Sequence, residues 1–187
     1  MSKHGVPNVF RRMIGYHDSI YDMISPHLNG GDVLSVGCGE GRMEAELKER
    51  TGVNIEGLEV TKYKKSRIPI KLFDGKKLPV KDKSYETVLF VYMLHHTPTP
   101  KTIENMLKEA KRVARKDIII LDHIYTNSLS KALLMVYDYT SNVLYDMPIP
   151  LNFLKIKEWG SIFTKLNLKV EEAEIPTPMN VFFKVKV

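Results

Sequence analysis

The sequence predicts an α/β fold built on a seven-stranded, mostly parallel sheet, and three observations predict it. From Asp32 onward short apolar runs alternate with helical stretches, which implies parallel strands joined by crossover helices. Val88-Leu89-Phe90-Val91 and Ile118-Ile119-Ile120-Leu121 lack polar alternation, as expected of central strands covered on both faces. One strand, Val33 to Val36, runs through three glycines directly into a helix, the arrangement that presents free backbone N–H groups to a nucleotide-like ligand.

The chain opens on apolar positions Val9, Phe10, Met13, Ile14, Tyr16, Ile20, Tyr21, Ile24 and Leu28, mostly three or four apart, which predicts helix over 8–28. Pro26 and Asn29-Gly30-Gly31 end it, so residues 1–31 are expected to form an N-terminal helical segment and 32–187 the main domain. Strands are expected near 32–36, 54–59, 68–73, 86–92 and 117–122, with helices near 42–51 and 100–115. Residues 124–150 read as an insertion carrying a helix with Leu129, Leu133, Val136, Tyr137 and Leu144 on one side. That stripe suits either packing on the sheet or a lid over an apolar acceptor. A helix around Ile156, Trp159, Ile162, Phe163 and Leu166 precedes two strands, 168–175 and 180–187, read as an antiparallel hairpin at the sheet edge.

Composition narrows the function. A chain of 187 residues with 43% hydrophobic and 27% charged residues accommodates one domain with a real core, which excludes two catalytic domains and wholesale disorder. The net charge of +6 is moderate; nine basic residues between Lys62 and Lys83 against Asp74 and Asp82 make that stretch positive, as a solvated face commonly is. Nucleic-acid binding does not follow. The single cysteine, Cys38, excludes a disulfide scaffold, and no Cys/His cluster has zinc-ligand spacing, so no metal is expected. With no leader-like or membrane-spanning apolar run, a cytoplasmic protein is expected.

The spacing Gly37-Cys38-Gly39-Glu40-Gly41 discriminates between cofactors. A dinucleotide loop would need its last glycine where Arg42 stands, and no Gly-Lys-Ser/Thr follows, so NAD, FAD and a Walker phosphate loop are disfavoured. Glu59, 22 positions after Gly37, closes the second strand at the offset where an acid reaches ribose hydroxyls, and a carboxylate can accept both hydrogen bonds of a vicinal diol.

This combination resembles the class I S-adenosylmethionine (SAM) dependent methyltransferases, notably the small-molecule group with a Gly-Cys-Gly-x-Gly loop. The likeness continues in order through Phe73-Asp74-Gly75, Leu78-Pro79-Val80, Ser84-Tyr85-Glu86-Thr87-Val88 and Tyr92-Met93-Leu94-His95-His96. The resemblance implies a Rossmann-like sheet with an antiparallel last strand. By resemblance, Gly37, Gly39 and Gly41, with Cys38, pass under the methionine part of SAM and Glu59 binds the ribose, with Val60 beside it. Asp74 and Gly75 contact the adenine, while Leu94 and His95 line the space beside the cofactor. Ser35 stands where the family often carries an acid, so the resemblance implies a weaker or rerouted contact there. Only Val60 to Arg67 separate Glu59 from Ile68, too few for the usual helix.

Methyl transfer from a sulfonium needs mainly alignment, which contributes on the order of 7 to 11 kcal/mol, and a base where the acceptor is a hydroxyl or protonated amine. Candidates beyond the strand ends are His123 or His96 as base, with Asp122 as orienting partner, since histidine titrates near neutrality. Tyr16, Tyr21, Tyr125 and Tyr137 are candidates for a lid or acceptor wall. The expected activity is methylation of O or N of a small organic acceptor, the alternative being a SAM-binding partner subunit without catalysis.

Overall fold

The computed structural model describes residues 16–143 and 150–187, and the side chains of these except 16–19 and 141. Residues 8–15 of the expected helix and the position Leu144 lie outside the described residues. Seven strands form one sheet in the order β3-β2-β1-β4-β5-β7-β6: β1 Asp32–Val36, β2 Asn54–Glu59, β3 Ile70–Leu72, β4 Tyr85–Val91, β5 Ala114–His123, β6 Lys169–Thr177 and β7 Asn180–Lys186. All pairs among β1 to β5 are parallel; β7 runs antiparallel to both β5 and β6. The closing hairpin therefore sits at the edge with β6 outermost, as its sequence suggested.

Among the described residues five α-helices cover the sheet: α1 Tyr16–Ile24, α2 Arg42–Thr51, α3 Pro100–Val113, α4 Ser128–Asn142 and α5 Ile156–Lys165. Their ends follow local chemistry. Gly52 caps α2 in the left-handed region, its N–H donating to Lys48 O. Thr99 caps α3 by accepting from Thr102 N, with Pro100 in the first turn where no donor is needed. Asn127 and Ser130 cap α4 reciprocally, Asn127 Oδ1 accepting from Ser130 N at 2.9 Å and Ser130 Oγ from Asn127 N at 3.0 Å.

Strand residues alternate between two cores. Leu34, Val36, Val88, Phe90, Ile118 and Ile120 pack with α3 and α5 through Ile103, Leu107 and Trp159, whereas Val33, Leu89, Ile119 and Leu121 pack with α1 and α2 through Ile24 and Leu47. This two-sided burial is why the β4 and β5 runs carry no polar alternation. β3 is shorter than its sequence suggested: Ile68 is buried below it under Gly41, and Pro69 has no N–H to give to a ladder. No helix joins β2 to β3, in keeping with the short span from Val60 to Pro69 between them.

The chain order reverses between β1 and β4, which lie side by side although β2 and β3 intervene in sequence. Ligands of open α/β sheets sit beyond the carboxyl ends of the strands at such a reversal, and here the glycine loop leaves β1 at that point.

Candidate functional site

The glycine loop is shaped by close approach. Gly37, Gly39 and Gly41 have φ of 73°, 58° and 74°. A Cβ on Gly37 would lie 2.1 Å from Met93 Cγ, so the loop after β1 is pressed onto the segment after β4, while one on Gly39 would meet nothing within 4 Å. Gly39 thus faces open space where a ligand can approach the backbone.

Glu59 is fixed against this loop. Its Oε2 accepts from Gly39 N at 2.8 Å, and its Oε1 accepts from Val60 N at 2.7 Å and Thr61 N at 3.3 Å. A carboxylate has about four acceptor positions, so three backbone donors leave room for a hydroxyl. Val60 is exposed and its Cγ1 would lie 3.4 Å from a Cβ at Gly75, which brings Val60, Asp74 and Gly75 together at the ends of β2 and β3. Asp74 Oδ1 accepts from Lys76 N and Lys77 N, an anchored turn that holds its carboxyl below the usual range. Behind it, Arg112 on α3 donates to Leu78 O, Val80 O and Asp82 Oδ1 and ties residues 78–82 to that helix. A cleft of about 890 Å³ lies beside that segment, but Asp32 and Tyr85 in its wall place it toward the strand starts. It is not the loop site.

The side chains of several expected cofactor contacts are turned toward other partners. Ser35 is buried and donates its hydroxyl to Glu44 Oε1 at 2.7 Å, so its partner is an acid from the first turn of α2 and the acid missing from the strand is supplied by the helix. Leu94 is fully buried in the core beneath β4, held there by its apolar side chain. His95, also buried, is drawn to acids instead of the glycine loop. Cys38 tucks its Sγ against Gly57, where a Cβ would come within 2.4 Å of it. Burial first, then the charges of Glu44 and Glu59, push its thiol up to about 12, so it is no nucleophile at neutral pH.

Glu44 itself carries a testable consequence. Burial pushes its carboxyl up to about 7, with the Ser35 hydrogen bond opposing and Glu59 adding to the rise, and its Oε2 has no hydrogen-bond partner among the described residues. Between its ordinary value of 4.5 and 7 the folded chain holds a proton that the unfolded chain has lost. Stability therefore falls as pH rises through that window, by about 3 kcal/mol. Glu44→Gln is expected to remove that loss, so in thermal melts the variant gains on the parent between pH 5 and pH 8; parallel profiles would contradict it.

A second group of polar side chains gathers at the ends of β4 and β5. His95 Nδ1 is bonded to Asp122 Oδ1, and its Nε2 lies 3.5 Å from Asp138 Oδ1 on α4. Burial alone would neutralise the ring, but the charge and hydrogen bond of Asp122 outweigh it and Asp138 adds to them, lifting His95 to about 9. Asp122 was expected to orient a catalytic histidine; its ring partner is His95, and toward His123 it accepts only the backbone N–H, at 2.6 Å. The His123 ring is set by β7 instead, with Nδ1 2.7 Å from Asn180 Oδ1, and burial followed by the charge of His95 pulls its pKa down. His96 stacks on His95 with ring centroids 4.1 Å apart.

The tyrosines separate. The side chain of Tyr16 lies outside the described set. Tyr21 is a core residue with the Arg50 guanidinium 4.5 Å above its ring, which corrects its reading as a lid. Tyr125 is flanked by Lys131 and Lys155, and Tyr137 meets His123 edge-on at 6.0 Å. On α4 the apolar stripe faces outward, with Leu129, Leu133 and Val136 all more than half exposed, while Leu134 and Asp138 point inward. Asp138 and Asn180 gave no signal in the sequence, since each meets its histidine only through tertiary contact.

A parallel sheet with a glycine loop at its order reversal and an acid closing the neighbouring strand defines a class I SAM-dependent methyltransferase domain. The chain matches the family model for a methyltransferase domain over residues 9–173 and belongs to that family, whose methyl donor is SAM. The solved magnesium protoporphyrin IX methyltransferase of Synechocystis PCC 6803, with S-adenosylhomocysteine (SAH) bound, has the same fold, with a TM-score of 0.67 at 14% identity over 92% of this chain and 84% of that one. The tRNA U34 carboxymethyltransferase of Nautilia profundicola is 32% identical over 104 residues, 49% of this chain and 34% of that protein. Methyltransferase GfsG of Streptomyces halstedii is 26% identical over 117 residues, 52% of this chain and 42% of that protein. The aligned stretches thus span under half the length of these curated relatives. Gly39 with its open approach and Glu59 with spare acceptor capacity fit SAM. Among the described residues no helix is long and apolar enough to cross a membrane.

Proposed function

We propose that this domain methylates the oxygen or nitrogen of a small, largely apolar acceptor seated over the ends of β4 and β5, with His123 as proton acceptor. The observation that carries the reading is the fixed tautomer of His123. Asn180 Oδ1 only accepts, so the bonded Nδ1 bears the hydrogen and the lone pair lies on Nε2, which has no hydrogen-bond partner among the described residues. Tyr92 at 4.7 Å, Tyr137 at 6.0 Å and Phe153 at 6.1 Å from that ring supply apolar walls. Bound SAM supplies an activated methyl group. The chain's own work is to fix the acceptor's heteroatom, exclude water and take its proton at Nε2.

The test is SAH formation with a panel of phenols, hydroxy acids, amines and bulk tRNA. A small acceptor is expected to turn over, and His123→Gln is expected to lower kcat roughly a hundredfold while SAH affinity stays within about twofold. Methylation of tRNA alone would overturn the acceptor class. SAH binding without any turnover would favour a cofactor-binding partner subunit.

A further inference from the structure

We infer that His95, His96 and Asp138 form a binding site for one divalent transition-metal cation between the turn after β4 and helix α4. One ligand atom from each of the three side chains lies within 4.8 Å of the others. The His95 Nε2 to Asp138 Oδ1 separation of 3.5 Å is long for a hydrogen bond. It suits two ligands of one ion, because bonds of about 2.1 Å in tetrahedral geometry place ligand atoms roughly 3.4 Å apart.

The surroundings are those of a metal centre. Asp122 takes the Nδ1 hydrogen of His95, which turns Nε2 toward the site, the carboxylate–histidine–metal relation that fixes a ligand's tautomer. Asn142 Nδ2 donates to Asp138 Oδ1 at 2.8 Å, so the ligating carboxylate is itself held. Asp138 is 2% exposed, and its Oδ2 is buried without a hydrogen-bond partner, an acceptor that a cation would satisfy. Charge balance points the same way: with His95 protonated, the two buried carboxylates Asp122 and Asp138 keep one negative charge in excess, and a dication that displaces the His95 proton brings the group to zero.

Two imidazoles and a carboxylate suit zinc, cobalt or iron over magnesium or calcium, which prefer all-oxygen sets. Three protein ligands leave a fourth position open, as in catalytic metal sites, and the His95 ring lies 4.9 Å from that of His123. The ion would thus stand beside the acceptor seat, able to take an acceptor oxygen or nitrogen as its fourth ligand. The site stands independently of the acceptor proposed above.

Untagged protein, stripped with EDTA and dialysed, is titrated with CoCl2 by calorimetry and by visible absorption. One Co²⁺ per chain is expected, with the intense visible bands of a four-coordinate ion. Asp138→Asn and His96→Gln are each expected to weaken binding roughly a hundredfold or more and to bleach those bands. Thermal melts and SAH titrations on the same preparations separate loss of this site from loss of the fold or of the methyltransferase reading. Should Asp138→Asn not fold, His96→Gln at a partly buried position decides. Absence of saturable Co²⁺ binding by folded protein, or binding unchanged in both variants, overturns the site.

Discussion

Glu59→Ala is expected to lower SAH affinity by roughly two to three orders of magnitude, read by calorimetry at constant ionic strength. Two losses combine. The ribose diol loses a charged acceptor, and hydrogen bonds to a charged group contribute about 1.5 to 3 kcal/mol each. The loop loses its clamp as well, since Gly39 N, Val60 N and Thr61 N all donate to this one side chain. Glu59→Gln separates the two effects. Its one amide oxygen keeps one side of the clamp, while its NH2 cannot accept from the other side and no charge remains, so a loss between roughly tenfold and that of Glu59→Ala is expected, with the fold intact. Undiminished SAH binding by Glu59→Ala would remove Glu59 from the cofactor site and leave the glycine loop without its partner strand.

Asp122→Ala is expected to produce the largest loss of stability, about 3 to 5 kcal/mol, because breaking one member of a buried charged group leaves the others uncompensated. Asp122 is 1% exposed and accepts from the His95 ring, from His123 N at 2.6 Å and from His95 N at 3.3 Å. Its removal strands three donors at the ends of β4 and β5, beside a ring whose other nitrogen reaches Asp138 only at 3.5 Å. For a chain of this length the melting temperature should fall by roughly 10 °C. Denaturant unfolding in EDTA reads the effect without any cation contributing. Asp122→Asn keeps size and one acceptor and should recover part of the loss. A cost below about 1 kcal/mol for Asp122→Ala would mean that the histidine and its two acids contribute little to holding α4 against the sheet.

Much of the fold was legible before any coordinates. The bounds of β1, β2 and α2 follow from Asp32–Val36, Asn54–Glu59 and the glycines at 41 and 52, because β-branched runs and caps act within a few residues. The loop at Gly37 to Gly41 and the acid at Glu59 were legible for the same reason: a strand, a turn and a helix start are local events, and a fixed offset carries the acid to the neighbouring strand. Where the reading missed, longer-range effects decided. Leu94 looked like a loop residue after a strand, but a short helical turn rolls it into the core. The apolar stripe of α4 suited packing on the sheet or a lid, but the helix turns Leu134 and Asp138 inward and leaves Leu129, Leu133 and Val136 exposed.

Sequence by itself determined the class of this protein: a parallel sheet, a glycine loop with the wrong spacing for a dinucleotide, and an acid placed for a ribose. Those features repeat at 2.0 or 3.6 residues or at fixed short offsets, so they are written into neighbouring positions. Only the tertiary structure decided which polar groups meet. Ser35 found its acid on α2, His123 found Asn180 from 57 positions away, and His95 was placed between Asp122 on β5 and Asp138 on α4. The physical reason is that a buried polar group must be satisfied by whatever the packing brings within about 3 Å, and packing joins elements whose order in the sequence does not record which will be neighbours.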